Sequence, residues 1–400
     1  MAGVVRPDIC VIGAGSGGLS VAAGAAAFGV SVVLVERGRM GGDCLNYGCV
    51  PSKALIAAAR RVHLLRRAGP YLGTAQPPQL DFPKIRQEIR AAIAAIAPND
   101  SVERFTALGV TVLRADARFV DRRTLVAGGQ TIRARRFVIA TGSAPAAPDI
   151  PGLESVDYLT NESLFDLEQL PESLLVLGGG PVGIEMAQAF CRLGSRVTVL
   201  ENREILGRAD PDLRRIVVDR LRAEGVTLLE GVRVEAVENR AGGVTAHLLA
   251  SDGRQTAVAG VRLLVAAGRR PVVDGLGLES AGVRHGPGGI VVNGGQRSSN
   301  RRIYAVGDVA GGPQFTHVAG HQASLVLKGI LFRAWARFRP EIVPAVTYCD
   351  PEIAFVGLSE AEARRRHRRV QIVRWPFAEN DRAQIEGETT GFVKLVAGAR

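Results

Sequence analysis

The chain has 400 residues, 46% hydrophobic and 22% charged, with a net charge of +11. This length implies more than one domain, and the composition is that of a globular protein rather than a low-complexity chain or a disulfide scaffold. The basic charge would permit anionic partners, yet the arginines are scattered. Only Arg364-Arg365-Arg366-His367-Arg368-Arg369 forms a dense run, which reads as a solvated helix end, so no nucleic-acid partner is expected.

The N-terminus passes from Arg6-Pro7-Asp8 directly into a strand pattern, so no signal peptide is expected. The apolar stretch from Leu19 to Val35 is interrupted by Gly24 and Gly29 and turns β-branched in its second half. It reads as a helix followed by a strand, so no membrane span is expected and the compartment is read as cytoplasmic. Residues 8–36 run strand, glycine turn (Gly13, Gly15, Gly18), alanine-rich helix, strand, then Glu36. The glycines permit a tight turn and close approach of a pyrophosphate to the helix N-terminus, and the acid suits ribose hydroxyls.

The stretch Gly41-Gly42-Asp43-Cys44-Leu45-Asn46-Tyr47-Gly48-Cys49-Val50-Pro51-Ser52-Lys53 follows. Its second cysteine runs into a helical pattern, and a helix N-terminus favours thiolate over thiol. A redox pair, a structural disulfide and two buried thiols all fit this spacing. No matching ligand set appears elsewhere, so no metal site is expected. Cys10, Cys191 and Cys349 lie in apolar or strand-like surroundings and are expected to be inert.

Helical periodicity is expected over 54–68 and 83–108. Strands are expected at Val110–Leu113, Ala117–Val120, Thr124–Val126 and Arg136–Ala140, closing on Thr141-Gly142. A proline-rich link from Pro145 to Pro151 reads as a domain crossing. The fingerprint then recurs as Gly178, Gly180 and Gly183, with Glu201 on the following strand. In both copies the acid falls 18 residues after the last glycine (Gly18 to Glu36, Gly183 to Glu201), which points to two dinucleotide sites. Gly225–Val237 and Val244–Leu249 are expected as strands, and Gly268-Arg269 repeats the strand-to-glycine ending. Asp308, at the end of Ile303–Gly307, suits either a bound polyol or an N-cap for a helix beginning near Thr316. From Pro340 the texture becomes α+β, with strands near 346–348, 353–356, 370–373 and 392–396 and a helix over Ser359–Arg369.

Together these residues resemble the pyridine nucleotide–disulfide oxidoreductases, close to the dihydrolipoamide dehydrogenase and mercuric reductase branches. The resemblance implies an α/β fold of two Rossmann-like, three-layer domains with parallel sheets plus a partial α+β dimerisation domain. Its expected boundaries are an FAD-binding domain over 1–150 and 269–338, an NAD(P)-binding domain over 151–268 and an interface domain over 339–400.

It also implies FAD at the first fingerprint and NAD(H), with NADP(H) as the alternative, at the second. Glu36 and Asp308 would meet the ribose and ribityl chain of FAD, Ala117 its adenine, and Glu201 the nicotinamide cofactor's ribose. Lys53, paired with Glu185, would lie near the flavin ring. Electrons would pass from the nicotinamide through the flavin to a Cys44–Cys49 disulfide. Cys49 would then be the flavin-side thiol and Cys44 the thiol that attacks a small or protein-bound disulfide, or a metal ion in the mercuric reductase manner.

Family members are homodimers, and a His–Glu pair near the end of the interface domain serves the partner's attacking thiol as acid–base. This chain ends inside that domain, and none of its six histidines takes that place. Disulfide turnover is therefore expected to be poor if this is the whole functional protein. A flavin-only diaphorase or oxidase, or a flavoprotein without turnover, stands as the alternative.

Overall fold

The computed structural model describes residues 3–73, 79–334 and 336–398. The chain forms two compact units. The first gathers Met1–Pro51, Gln87–Ala146 and Arg269–Pro340; the second gathers Ser52–Arg86, Ala147–Gly268 and Glu341–Arg400. The helices that place the chemistry are α1 (Ser16–Ala27), α2 (Gly42–Asn46), α3 (Cys49–Leu72), α4 (Pro181–Leu193) and α5 (Thr316–Leu331). Among the described residues no helix is long and apolar enough to cross a membrane. The apolar stretch 19–35 divides into the body of α1 and the strand Val32–Glu36.

The first unit is built on a five-stranded parallel sheet ordered Ile303–Ala305, Arg136–Ile139, Ile9–Ile12, Val32–Glu36, Val110–Arg114. These strands are near-continuous apolar runs because both faces are covered. Alternate residues separate the faces: Ile9, Val11, Leu34 and Val138 pack with Leu19, Val21 and Ala22 of α1 and Val326 of α5. Cys10, Ile12, Val33, Phe137 and Ile139 pack on the other side against Phe119, Leu125 and Ile132. That second covering is a four-stranded sheet ordered Val4–Val5, Gln130–Ile132, Leu125–Ala127, Ala117–Phe119. Helices, parallel sheet and outer sheet make three layers.

The second unit repeats the plan with four parallel strands ordered Thr227–Glu230, Arg196–Glu201, Ser173–Leu177, Arg262–Val265. Its cover is the antiparallel sheet of Val232–Arg240, Gly243–Ala250 and Gln255–Gly260. The segment after Pro340 adds two antiparallel ribbons, Ala345–Thr347 with Ile353–Phe355 and Val370–Pro376 with Phe392–Gly398.

The structure departs from sequence expectation where one residue redirects the chain. The strand expected over Gly225–Val237 is two, because Gly231 at φ +66° turns the backbone out of the parallel sheet and into the antiparallel one. The helix expected over 83–108 stops at Ile96, since Pro98 sits in a 3₁₀ turn and Ser101 caps a fresh helix, Val102–Ala107. The helix expected over Ser359–Arg369 covers Glu360–Arg366, opened by a capping box of Ser359 and Glu362.

One buried ion pair anchors the second unit. Arg192, 5% exposed, contacts Glu224 at 2.5 Å and Asp350 at 2.9 Å. Removing one member strands a buried charge, so Arg192→Leu should cost about 3 kcal/mol in urea unfolding. The double variant Arg192→Leu, Glu224→Leu should recover most of that loss. A double variant as unstable as the single one would show that the pair is not what sets the cost.

Candidate active site

Both glycine fingerprints fold the same way, and the reasons are steric. Gly13 and Gly178 take φ of +103° and +114°, and a Cβ there would lie 2.4 and 2.5 Å from the carbonyl oxygens of Ala140 and Ala266. A Cβ on Gly18 or Gly183 would lie 1.9 or 2.0 Å from the carbonyl oxygen of Gly13 or Gly178. Only hydrogen at these positions lets α1 and α4 seat their N-termini against the preceding strand. At Gly180 a Cβ would meet nothing within 4 Å, and at Gly15 only the Cα of Gly42 at 3.9 Å, so backbone is all that lines the turn.

The acids complete each copy. Glu36 accepts the N–H groups of Ala14 and Gly38, both at 2.6 Å. Glu201 accepts those of Gly179 at 2.7 Å and Arg203 at 2.9 Å. A carboxylate has about four lone-pair sites, so each acid keeps acceptor capacity for ribose hydroxyls. Backbone-lined turns at helix N-termini with an oriented acid are a donor and acceptor set that fits a dinucleotide.

Asp308 does not cap the helix beginning at Thr316: Phe315 occupies that N-cap position and makes no side-chain bond. The Asp308 carboxylate instead accepts the Ser143 hydroxyl at 2.5 Å and lies 3.9 Å from Arg269. Burial raises its pKa, against the opposing pull of Ser143 and Arg269. Arg269 also donates to the Ser143 hydroxyl at 2.7 Å and reaches the Asp43 carboxylate at 3.3 Å. One guanidinium thus joins the residue before Cys44 to the expected ribityl contact. Thr141 donates to the Val272 carbonyl at 2.7 Å, and Gly142 accepts from the Val272 amide at 3.0 Å. Gly268 ends the second parallel sheet's last strand region, immediately before Arg269. Ala117 opens a strand of the outer sheet, opposite Ala127.

The cysteines sit on consecutive helices: Cys44 within α2, half-buried, and Cys49 as the first residue of α3, exposed. Their sulfurs are hydrogen-bonded to one another, and this bond, reinforced by burial, pushes the Cys44 thiol above the usual range. The hydroxyls of Thr316 and Ser16 pull it the other way. The Thr316 hydroxyl lies 3.3 Å from the Cys49 sulfur. The helix dipole and that hydroxyl both favour negative charge at Cys49. Burial also raises the thiols of Cys10 and Cys191 and takes Cys349 to about 12, which disfavours the nucleophilic thiolate.

One turn beyond Cys49, Lys53 pairs with Glu185 of α4 at 2.8 Å, and Glu185 is 5% exposed. Sequence reasoning passed over Thr316, Ser143 and the Asp43–Arg269 bridge. The available signals were slight: Ser143 directly follows the Thr141-Gly142 closure, and Thr316 opens the helix after Asp308.

The buried carboxyl gives a pH test. A folded pKa raised above the unfolded one contributes stability at low pH that is lost as pH rises through the folded value. In protein stripped of nucleotide, Asp308→Asn should therefore gain thermal stability over wild type at neutral pH, and the gain should vanish below the usual carboxylate range. A pH-independent difference would contradict this.

Comparison with known proteins agrees with the geometry. Residues 7–323 match the pyridine nucleotide-disulphide oxidoreductase family, and residues 343–400 match the family's dimerisation domain. A mercuric reductase of Streptomyces lividans is 40% identical over 98% of this chain and 84% of its own length. Dihydrolipoyl dehydrogenase 3 of Pseudomonas aeruginosa is 35% identical over 98% and 86%. The Cu(II) complex of RclA, an HOCl-induced flavoprotein disulfide reductase from Escherichia coli, superposes with a TM-score of 0.86 at 27% identity, over 98% of this chain and 86% of its own. These likenesses favour electron transfer through a cysteine pair over a flavin-only path. The chain belongs to the pyridine nucleotide–disulphide oxidoreductase family, flavoproteins that use FAD and NAD(P)H to act on sulfur groups.

Proposed function

We propose that this flavoprotein carries electrons from NADH to the Cys44–Cys49 disulfide and on to a small or protein-bound disulfide, in the manner of a dihydrolipoyl dehydrogenase run in either direction. The observation that supports this most is the hydrogen-bonded pair of Cys44 in α2 and Cys49 at the start of α3, the Cys49 sulfur beside the Thr316 hydroxyl. The bound flavin supplies the exchange between a two-electron nicotinamide donor and a dithiol. Everything else falls to the chain. Glu201 favours NADH, since its carboxylate would repel the additional phosphate of NADPH. Glu36, Asp308 and the fingerprint turns hold the cofactors, with Ala117, Thr141, Gly142, Gly268 and Arg269 as lesser contributors. Lys53, oriented by Glu185, lies beside the flavin ring by family resemblance.

Cys49 is the flavin-side thiol and Cys44 the attacking one. In each turnover NADH and a proton reduce the protein disulfide to two thiols. Cys44 then attacks the substrate disulfide, releasing one thiol, and Cys49 displaces the second as the protein disulfide re-forms. Because the Cys49 sulfur and burial push the Cys44 thiol up, its attack requires a proton acceptor, and the pH profile of kcat/KM should rise above neutrality. A homodimer through the segment matching the dimerisation domain and a reducing, cytoplasmic setting belong to the same reading. Reduction of Hg(II) at the same thiols is the second reading, favoured by the mercuric reductase likeness.

Steady-state NADH oxidation with lipoamide or Hg(II) as acceptor tests the proposal. Cys44→Ser and Cys49→Ser should each take turnover to background while NADH still reduces the bound flavin. Turnover that survives either substitution would contradict the thiol route. The acceptor that supports the higher wild-type kcat/KM decides between the two readings.

A further inference from the structure

Helix α4 carries a buried polar stripe that its nucleotide fingerprint does not require. Glu185, Gln188 and Arg192 are spaced three and four apart and share one face. They are only 5%, 4% and 5% exposed, so each needs a partner. All three find it in one short stretch. Glu185 Oε1 accepts the Tyr348 N–H at 2.9 Å. Gln188 accepts the Asp350 N–H at 2.7 Å and donates to the Asp350 carbonyl at 2.8 Å. Arg192 reaches the Asp350 carboxylate at 2.9 Å.

Held in this way, the Tyr348 ring lies 4.5 Å from the Lys53 ammonium, within cation–π range. Glu185 therefore serves Lys53 twice. One oxygen takes the ammonium at 2.8 Å, and the other fixes the backbone of the residue whose ring faces it. Lys53 is 37% exposed, so the salt bridge alone leaves its long side chain room to move.

We propose that Tyr348 is a positioning residue for Lys53: its ring, anchored by the α4 stripe, confines the ammonium beside Glu185 and thereby sets how Lys53 is presented for its flavin role. This rests on the assignment of Lys53 to the flavin. The ring and not the hydroxyl makes the contact, so phenylalanine serves in its place.

The test is the rate at which Lys53 of the holoprotein is acetylated at fixed pH, read by peptide mass spectrometry against exposed Lys84 as internal reference. Tyr348→Leu should raise the Lys53 rate about three-fold relative to Lys84, the scale of one exposed cation–π contact. Tyr348→Phe should match wild type, and Tyr348→Met, which keeps apolar bulk without the π face, should show the same rise as leucine and replaces it if the leucine variant folds poorly. An unchanged Lys53 rate in Tyr348→Leu, or a rise as large in Tyr348→Phe, would overturn the proposal. The parent assignment is read separately, from whether bound FAD protects Lys53 in wild type.

Discussion

The structure depends on two places where a helix must come closer to a turn than any side chain allows. A Cβ on Gly18 or Gly183 would lie 1.9 or 2.0 Å from a carbonyl oxygen, so only hydrogen fits there. Because the seat is that close, the amide-rich end of each helix meets the end of its parallel sheet, and an acid from the next strand ties the turn from the other side. The same solution recurs in both units, which fits a family whose members use two nucleotides, FAD and NAD(P)H.

The placement of the redox chemistry follows from it. Glu185 lies two residues past Gly183, so the partner of Lys53 inherits its position from the second fingerprint turn. On the first unit, α2 and α3 present the cysteines while α5 begins at the Thr316 hydroxyl beside them. The pair is electrostatically unequal: the bond from Cys49 and burial push the Cys44 thiol up, while the dipole of α3 favours charge at Cys49. That inequality suits a relay in which one sulfur faces the electron source and the other must be deprotonated to attack.

Much of the fold was legible because strands covered on both faces leave unbroken apolar runs, as at Ile9–Ile12 and Val32–Glu36. The fingerprints were legible because their chemistry is local. Contacts across long separations were not. Lys53 and Glu185 are 132 residues apart, and only family resemblance suggested the pair. The spacing of Glu185, Gln188 and Arg192 was present in the sequence, but polar residues at helical intervals ordinarily read as a solvated face. Nothing local marks the stripe as buried, nor Arg269 as the link between Asp43 and Asp308. Asp308 shows how a local rule loses to tertiary context, since an N-cap was a fair reading of its position until Phe315 took that place.

The most direct test of the central claim is an anaerobic titration of the purified flavoprotein with NADH, followed in the visible spectrum. The account predicts a broad absorbance beyond the oxidised flavin's own bands after one equivalent, present in wild type and absent in Cys49→Ser. Simple bleaching of the wild-type flavin, with no long-wavelength band, would contradict the claim that electrons reach the cysteine pair.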